Sequence, residues 1–127
     1  MRTKQLFILL VTSVAILLSS CQYEFVVEPE LPPIDPTVDI KFATEIAPLF
    51  ESNQCLACHK TGGTAPDLTA DKAYASIVPA LINSADPETS LIYWYPHPDA
   101  STHNFKKYKK ADAELILAWI KQGAKNN

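Results

Sequence analysis

Apolar positions along this chain fall into one short unbroken run and then a series of helical stretches. Leu6 to Leu18 is apolar apart from Thr12 and Ser13. From Phe42 the spacing turns helical: Ile46, Leu49 and Phe50 lie at i, i+3, i+4, with Thr44 as N-cap and Glu45 in the first turn. Pro48 has no N–H to give, so this helix is expected to be short, with Pro48 in its first turn or at a kink. Asp71 is placed to cap a helix over residues 72–78, with Tyr74, Ile77, Val78 and Leu81 as its apolar side. Pro87-Glu88-Thr89-Ser90 reads as a helix start leading into Leu91-Ile92-Tyr93-Trp94-Tyr95. The last segment is the most regular, with Leu115, Ile116, Ala118, Trp119 and Ile120 at helical spacing. Asp112 and Glu114 favour its N-terminal end, Lys121 its C-terminal end, and Gly123 its stop. No stretch alternates with period two and no internal repeat is visible. The pattern predicts an all-α fold.

The early apolar run is shorter than the roughly 20 residues that cross a bilayer. Its basic start, Met1-Arg2-Thr3-Lys4, is that of a secretory signal. Leu18-Ser19-Ser20-Cys21 resembles the lipobox of bacterial lipoprotein precursors. That resemblance implies cleavage before Cys21, a lipidated Cys21, and export to the cell envelope; an ordinary signal or an uncleaved anchor is the alternative. Gln22 after the cysteine leans to the outer membrane by the lipoprotein sorting rule. Residues 22–40 carry Pro29, Pro32, Pro33 and Pro36 and five acids without a lysine or arginine, which predicts an extended tether. Three segments result: a signal over 1–20, a lipidated tether over 21–40, and a folded domain over 41–127.

Composition narrows the function. Removing the first 20 of the 127 residues leaves 9 basic against 14 acidic side chains, a charge of about −5 with histidine neutral. Nucleic acid is not an expected partner, since such binding needs a basic footprint. Charge would not hold the protein on an anionic membrane either; the lipid would. A domain this small buries a low fraction of its surface and benefits from added apolar filling.

Cys55-Leu56-Ala57-Cys58-His59 is the C-x-x-C-H pattern of covalent haem attachment. Two thiols two residues apart can add across the two vinyl groups of one haem, and the next residue then offers an imidazole to the iron. The same cysteines could form a redox dithiol or half a zinc site. A dithiol of the thioredoxin kind needs a βαβ context, which is absent, and the remaining histidines, His97 and His103, lack paired-finger spacing. Export supports haem, because an idle C-x-x-C in an oxidising compartment tends to close into a disulfide. With Cys21 lipidated, all three cysteines are used.

Residues 41–127 resemble a small class I cytochrome c domain of the kind carried on bacterial envelope lipoproteins. The likeness rests on the helix leading to C-x-x-C-H, the Gly/Pro loop over 61–68, and the closing Trp-Ile-x-x-Gly-Ala of Trp119 to Ala124. It implies one covalently bound haem c, thioethers at Cys55 and Cys58, and His59 as proximal ligand. It further implies that the first and last helices cross beside the haem, with Ile46, Phe50 and Trp119 at the crossing. The ligand's other ring nitrogen should donate to a backbone carbonyl, which the family takes from a loop proline matched here by Pro66; Leu68 would pack on the haem. Pro66 as a plain turn proline is the alternative. The family's usual distal methionine is missing, since the single methionine is Met1. His103, 16 residues before Trp119, is the favoured distal ligand, His97 the second choice, and an open iron the third.

A bis-imidazole iron should have a lower potential than a thioether-ligated one, which suits a carrier of single electrons between envelope redox partner proteins. This is a non-enzymatic role. An open iron would instead make the domain a haem-based sensor or interaction module. Lys106, Lys107, Lys109 and Lys110 form one basic cluster, read either as a solvated turn or as a docking patch for an acidic redox partner. Tyr93, Trp94 and Tyr95 are candidates to donate to haem propionates or to pack in the core.

Overall fold

The computed structural model describes residues 2–5, 7, 8 and 33–127. The chain divides into two compact units, Met1–Glu30 and Leu31–Asn127, each taken by itself here. In the first, residues 2–5, 7 and 8 are helical. Most of the expected signal segment, the lipidation site Cys21 and tether residues 22–32 lie outside the described residues. Among the described residues no helix is long and apolar enough to cross a membrane.

The second unit is helical, and no strand occurs among the described residues, as the sequence pattern predicts. A π-helical turn, Phe42–Ile46, leads into α1, Ala47–Ser52. A 3-10 turn, Cys55–Ala57, carries the start of the C-x-x-C-H motif. Helix α2 spans Ala73–Ile77, a 3-10 turn Pro87–Thr89 precedes α3, Leu91–Trp94, and the closing helix α4 spans Lys110–Lys121.

The first helical segment departs from the expected start at Thr44. It begins at Phe42, and no side chain of Lys41 caps it. The Lys41 carbonyl instead accepts from both Glu45 N at 2.9 Å and Ile46 N at 3.3 Å, which widens the turn. Pro48 then falls in the first turn of α1, where its missing N–H leaves no gap in the ladder. The free amides of Phe42 and Ala43 find partners at the far end of the chain: the Asn127 side-chain oxygen at 3.0 Å and the Asn127 carbonyl at 3.1 Å.

Asp71 does not cap α2. Thr69 O accepts from Lys72 N at 2.9 Å and Ala73 N at 2.7 Å. Asp67 fixes that entry from upstream by accepting from the Thr69 amide and hydroxyl, so the cap position needs no carboxylate. At the other end of the domain Gly123 stops α4 as expected, with φ 95°. Its N–H donates to Ile120 O at 2.9 Å and that of Ala124 to Trp119 O at 3.0 Å, the paired bonds of a Schellman ending.

The core lies between the first helical segment and α4. Ile46, Phe50, Ile116 and Trp119 are at most 1 % exposed, which puts all three residues expected at the helix crossing in its centre. Phe42 packs on Trp119 with ring centres 5.2 Å apart and meets Tyr74 edge-on at 5.2 Å. The folded unit also takes in the end of the expected tether. Gln122 accepts from Ile40 N and donates to Val38 O, each at 2.9 Å, and Lys125 pairs with Asp39 at 2.9 Å. Ile40 is buried. The domain therefore begins before Lys41, because the side chains at its C-terminus supply partners for residues 38–40.

Candidate functional site

The chain leaves α1 through Asn53 and reverses at Gln54, which takes the left-handed φ of 61°. For a residue with a Cβ this costs about 1 kcal/mol. The reversal turns Cys55-Leu56-Ala57 into a tight 3-10 turn closed by Cys58 N to Cys55 O at 3.1 Å and His59 N to Cys55 O at 2.9 Å. The helix thus does not run straight into the motif; a break separates them. Asn53, itself buried, braces the break. It donates to Leu49 O at 2.8 Å and Asp112 Oδ2 at 2.7 Å and accepts from Lys109 N at 3.0 Å, tying the end of α1 to the start of α4.

Cys55 is half-buried and Cys58 exposed, and the two thiols are not bonded to each other. Burial pushes the Cys55 thiol up to about 11. Redox dithiols depend on a depressed thiol pKa, so Cys55 has the opposite tuning. The two cysteines and the histidines do not converge into a zinc site either: among the described residues no group of three or more His, Cys, Asp or Glu side chains is placed to hold a metal ion.

The loop after the motif folds back on it. Gly63 N donates to Lys60 O at 2.8 Å, Thr64 N to Cys58 O at 2.9 Å, and Leu68 N to His59 O at 3.0 Å. A Cβ at Gly63 would lie 2.3 Å from Cys58 O, so this close return requires glycine. The fold-back brings the Thr64 carbonyl to His59 Nδ1 at 3.1 Å. The bonded carbonyl belongs to Thr64 and not to Pro66, the partner the family resemblance implies, because the loop is pinned at Cys58 O before Pro66 is reached. Pro66 follows as a half-buried turn residue. Leu68 is buried in the main core, and its backbone rather than its side chain is what engages His59. With Nδ1 committed to Thr64, Nε2 of His59 is the nitrogen left for a metal.

Residues 96–107 form a second loop, closed at its base by Tyr108 N to Pro96 O at 3.1 Å. It brings His103 to His59, with ring centres 6.1 Å apart and planes inclined by 33°. Two imidazoles that share one metal from opposite sides, each nitrogen about 2 Å from it, have ring centres about 6 Å apart. The separation of the two rings matches that distance. His103 Nδ1 is buried without a hydrogen-bond partner, which costs about 1–3 kcal/mol, and the Tyr95 ring meets that of His103 in a T-shaped contact at 5.7 Å and 86°. His97 Nδ1 accepts from Asp99 N at 3.2 Å and lies 3.8 Å from the Asp99 carboxylate, and the His97 ring meets Tyr93 at 5.2 Å.

The basic cluster is smaller than its sequence suggests. Lys107 turns its ammonium into the 96–107 loop, where it donates to Pro98 O at 3.2 Å and to Ala100 O. Lys106, Lys109 and Lys110 remain exposed. Sequence reasoning missed Thr64, Gly63 and Lys107 as parts of the site. Thr64 acts through a carbonyl that every residue type has, so only the 60–68 fold-back reveals it. No family model, curated protein or solved structure matches the chain.

Proposed function

We propose that this chain is a membrane-anchored c-type cytochrome with one haem, which carries single electrons between redox partner proteins of the cell envelope and catalyses no reaction of its own. Cys55 and Cys58 would hold the haem through thioethers, and His59 and His103 would ligate its iron. When bound, the haem supplies a one-electron redox centre. The chain's own residues do the rest: Thr64 O orients the His59 ring through Nδ1, and the 96–107 loop presents His103. Cys21 carries the lipid, on the extracytoplasmic side, with the outer membrane favoured by Gln22. The observation that carries the reading is the 6.1 Å separation of the His59 and His103 rings beside the C-x-x-C-H turn. The raised thiol pKa of Cys55 supports it against a redox dithiol. Both axial positions filled by imidazole means little rearrangement on electron exchange and a potential below that of His/Met haems.

Absorption spectra of the haem-loaded protein test this, taken oxidised, reduced, and reduced under carbon monoxide, beside the His103→Ala variant. A low-spin spectrum that ignores carbon monoxide, and that becomes high-spin in the variant, is the expected result. A high-spin haem that binds carbon monoxide without any substitution would overturn the ligation and put the sensor with an open iron first.

A further inference from the structure

The 96–107 loop has almost no apolar content of its own to hold it. Its middle, Ala100 to Lys106, reads Ala-Ser-Thr-His-Asn-Phe-Lys, and Phe105 is 82 % exposed. Yet this loop must hold the His103 ring, with its unpartnered Nδ1, in its T-shaped contact with Tyr95. Two side chains stitch it. Thr102 Oγ1 donates to Tyr95 O at 2.7 Å, one residue before the histidine. Lys107 reaches back under the loop, and its ammonium donates to the carbonyls of Pro98 and Ala100. A charged donor shared by two carbonyls makes the stronger stitch, since charge-assisted hydrogen bonds are roughly twice as strong as neutral ones. Lys107 thereby closes residues 98–107 into a ring of chain with His103 on it.

We infer that Lys107 is a positioning residue for His103, and that its ammonium decides whether the second side of the iron is closed by imidazole or open to a small neutral ligand such as carbon monoxide. The inference rests on the ligation proposed above. A loop held by its own backbone bonds or by packing would not depend on one lysine. Here backbone bonds hold only the base, Tyr108 N to Pro96 O, and the first turn, Ala100 N to His97 O, both at 3.1 Å; residues 101–107 depend on side chains.

The experiment compares the haem-loaded full protein with Lys107→Met, which keeps the stem and removes the donors, Lys107→Arg, which restores them, and Lys106→Met, an exposed neighbour. The readouts are the low-spin fraction, the rate of carbon monoxide binding to the reduced protein, and the melting midpoint. In Lys107→Met, carbon monoxide binding should quicken about tenfold or more, as expected for losing two hydrogen bonds from a charged donor. Lys107→Arg should recover most of the effect and Lys106→Met should show none. If Lys107→Met does not fold, Thr102→Val carries the test, with a smaller gain in the same rate. A low-spin wild type whose carbon monoxide rate is unmoved by Lys107→Met, or by Thr102→Val where that variant stands in, overturns the positioning role and leaves the ligation intact. A wild type that is already high-spin overturns the ligation itself.

Discussion

The loop that orients His59 is tied at its far end by Asp67. Asp67 accepts from Thr69 Oγ1 at 2.6 Å, Thr61 Oγ1 at 2.7 Å and Thr69 N at 3.1 Å, with Lys72 3.7 Å away. These donors, the two hydroxyls foremost, hold its carboxyl down to about 2, from an ordinary value of 3.8. The unfolded chain therefore takes up the proton first on acidification. The stabilisation is fully present above about pH 3.8 and is lost as pH falls towards 2. Asp67→Asn is expected to melt below the wild type at pH 6, with the gap closing between pH 4 and pH 2; thermal melts across that range check it. A gap that stayed constant would show that the carboxylate charge is not what ties the loop. At this scale the sequence does show that no methionine follows position 1, which turns attention to the histidines. Asp67's role was not legible there, because it depends on Thr61 and Thr69 being brought to one point by the fold-back.

Elements in this domain are joined end to end by polar side chains as much as face to face by apolar ones. Asn53 is the clearest joint: only 6 % exposed, it binds Leu49 O, Asp112 Oδ2 and Lys109 N, so one amide serves both α1 and α4. Replacing it with alanine leaves the Lys109 amide and a carboxylate oxygen without partners. Asn53→Ala should cost about 2–4 kcal/mol, read as a lower urea midpoint, with an opened C-x-x-C-H turn following because Gln54 is no longer braced. An unchanged midpoint would mean that water replaces the amide at no cost. Helix α4 was readable because its apolar stripe, Lys121 and Gly123 all agree. The start of the first helical segment was not readable. Its free amides are satisfied by Asn127, 85 residues from Phe42, and no local window contains that partner. The same holds for residues 38–40, which end a proline- and acid-rich stretch that reads as tether until Gln122 and Lys125 claim them.

Across the whole folded unit, burial is uneven, and the unevenness makes a prediction about the protein without haem. One side is a finished core: Ile46, Phe50, Ile77, Ile116 and Trp119 are at most 1 % exposed, sealed by Trp119 Nε1 to Lys125 O and Tyr74 OH to Ala124 O, both at 3.0 Å. None of these contacts involves the C-x-x-C-H turn. Cys55, Leu56 and Tyr93 pack half-buried against this core, Trp94 and His103 are half-buried as well, and the 96–107 loop is held by the Tyr108–Pro96 and Ala100–His97 backbone bonds and the stitches of Lys107 and Thr102. Half-buried apolar groups contribute less stabilisation than fully buried ones, because less of their surface leaves water. Stability should therefore separate by region, as it does wherever local contacts differ in density. In a Cys55→Ser/Cys58→Ser protein that cannot retain haem, the amides of Gly123 and Ala124, bonded to α4, should keep their protection against hydrogen exchange. On the ligation proposed above, the Ala100 amide, bonded to His97 O within the loop, should exchange far faster than in the haem-loaded protein, since the loop would then lack a His103–iron bond. Exchange measured by mass spectrometry or NMR on both forms decides it. Equal loss of protection on both sides would mean that the core needs the haem to form at all, and equal retention would mean that the 96–107 loop is rigid without it.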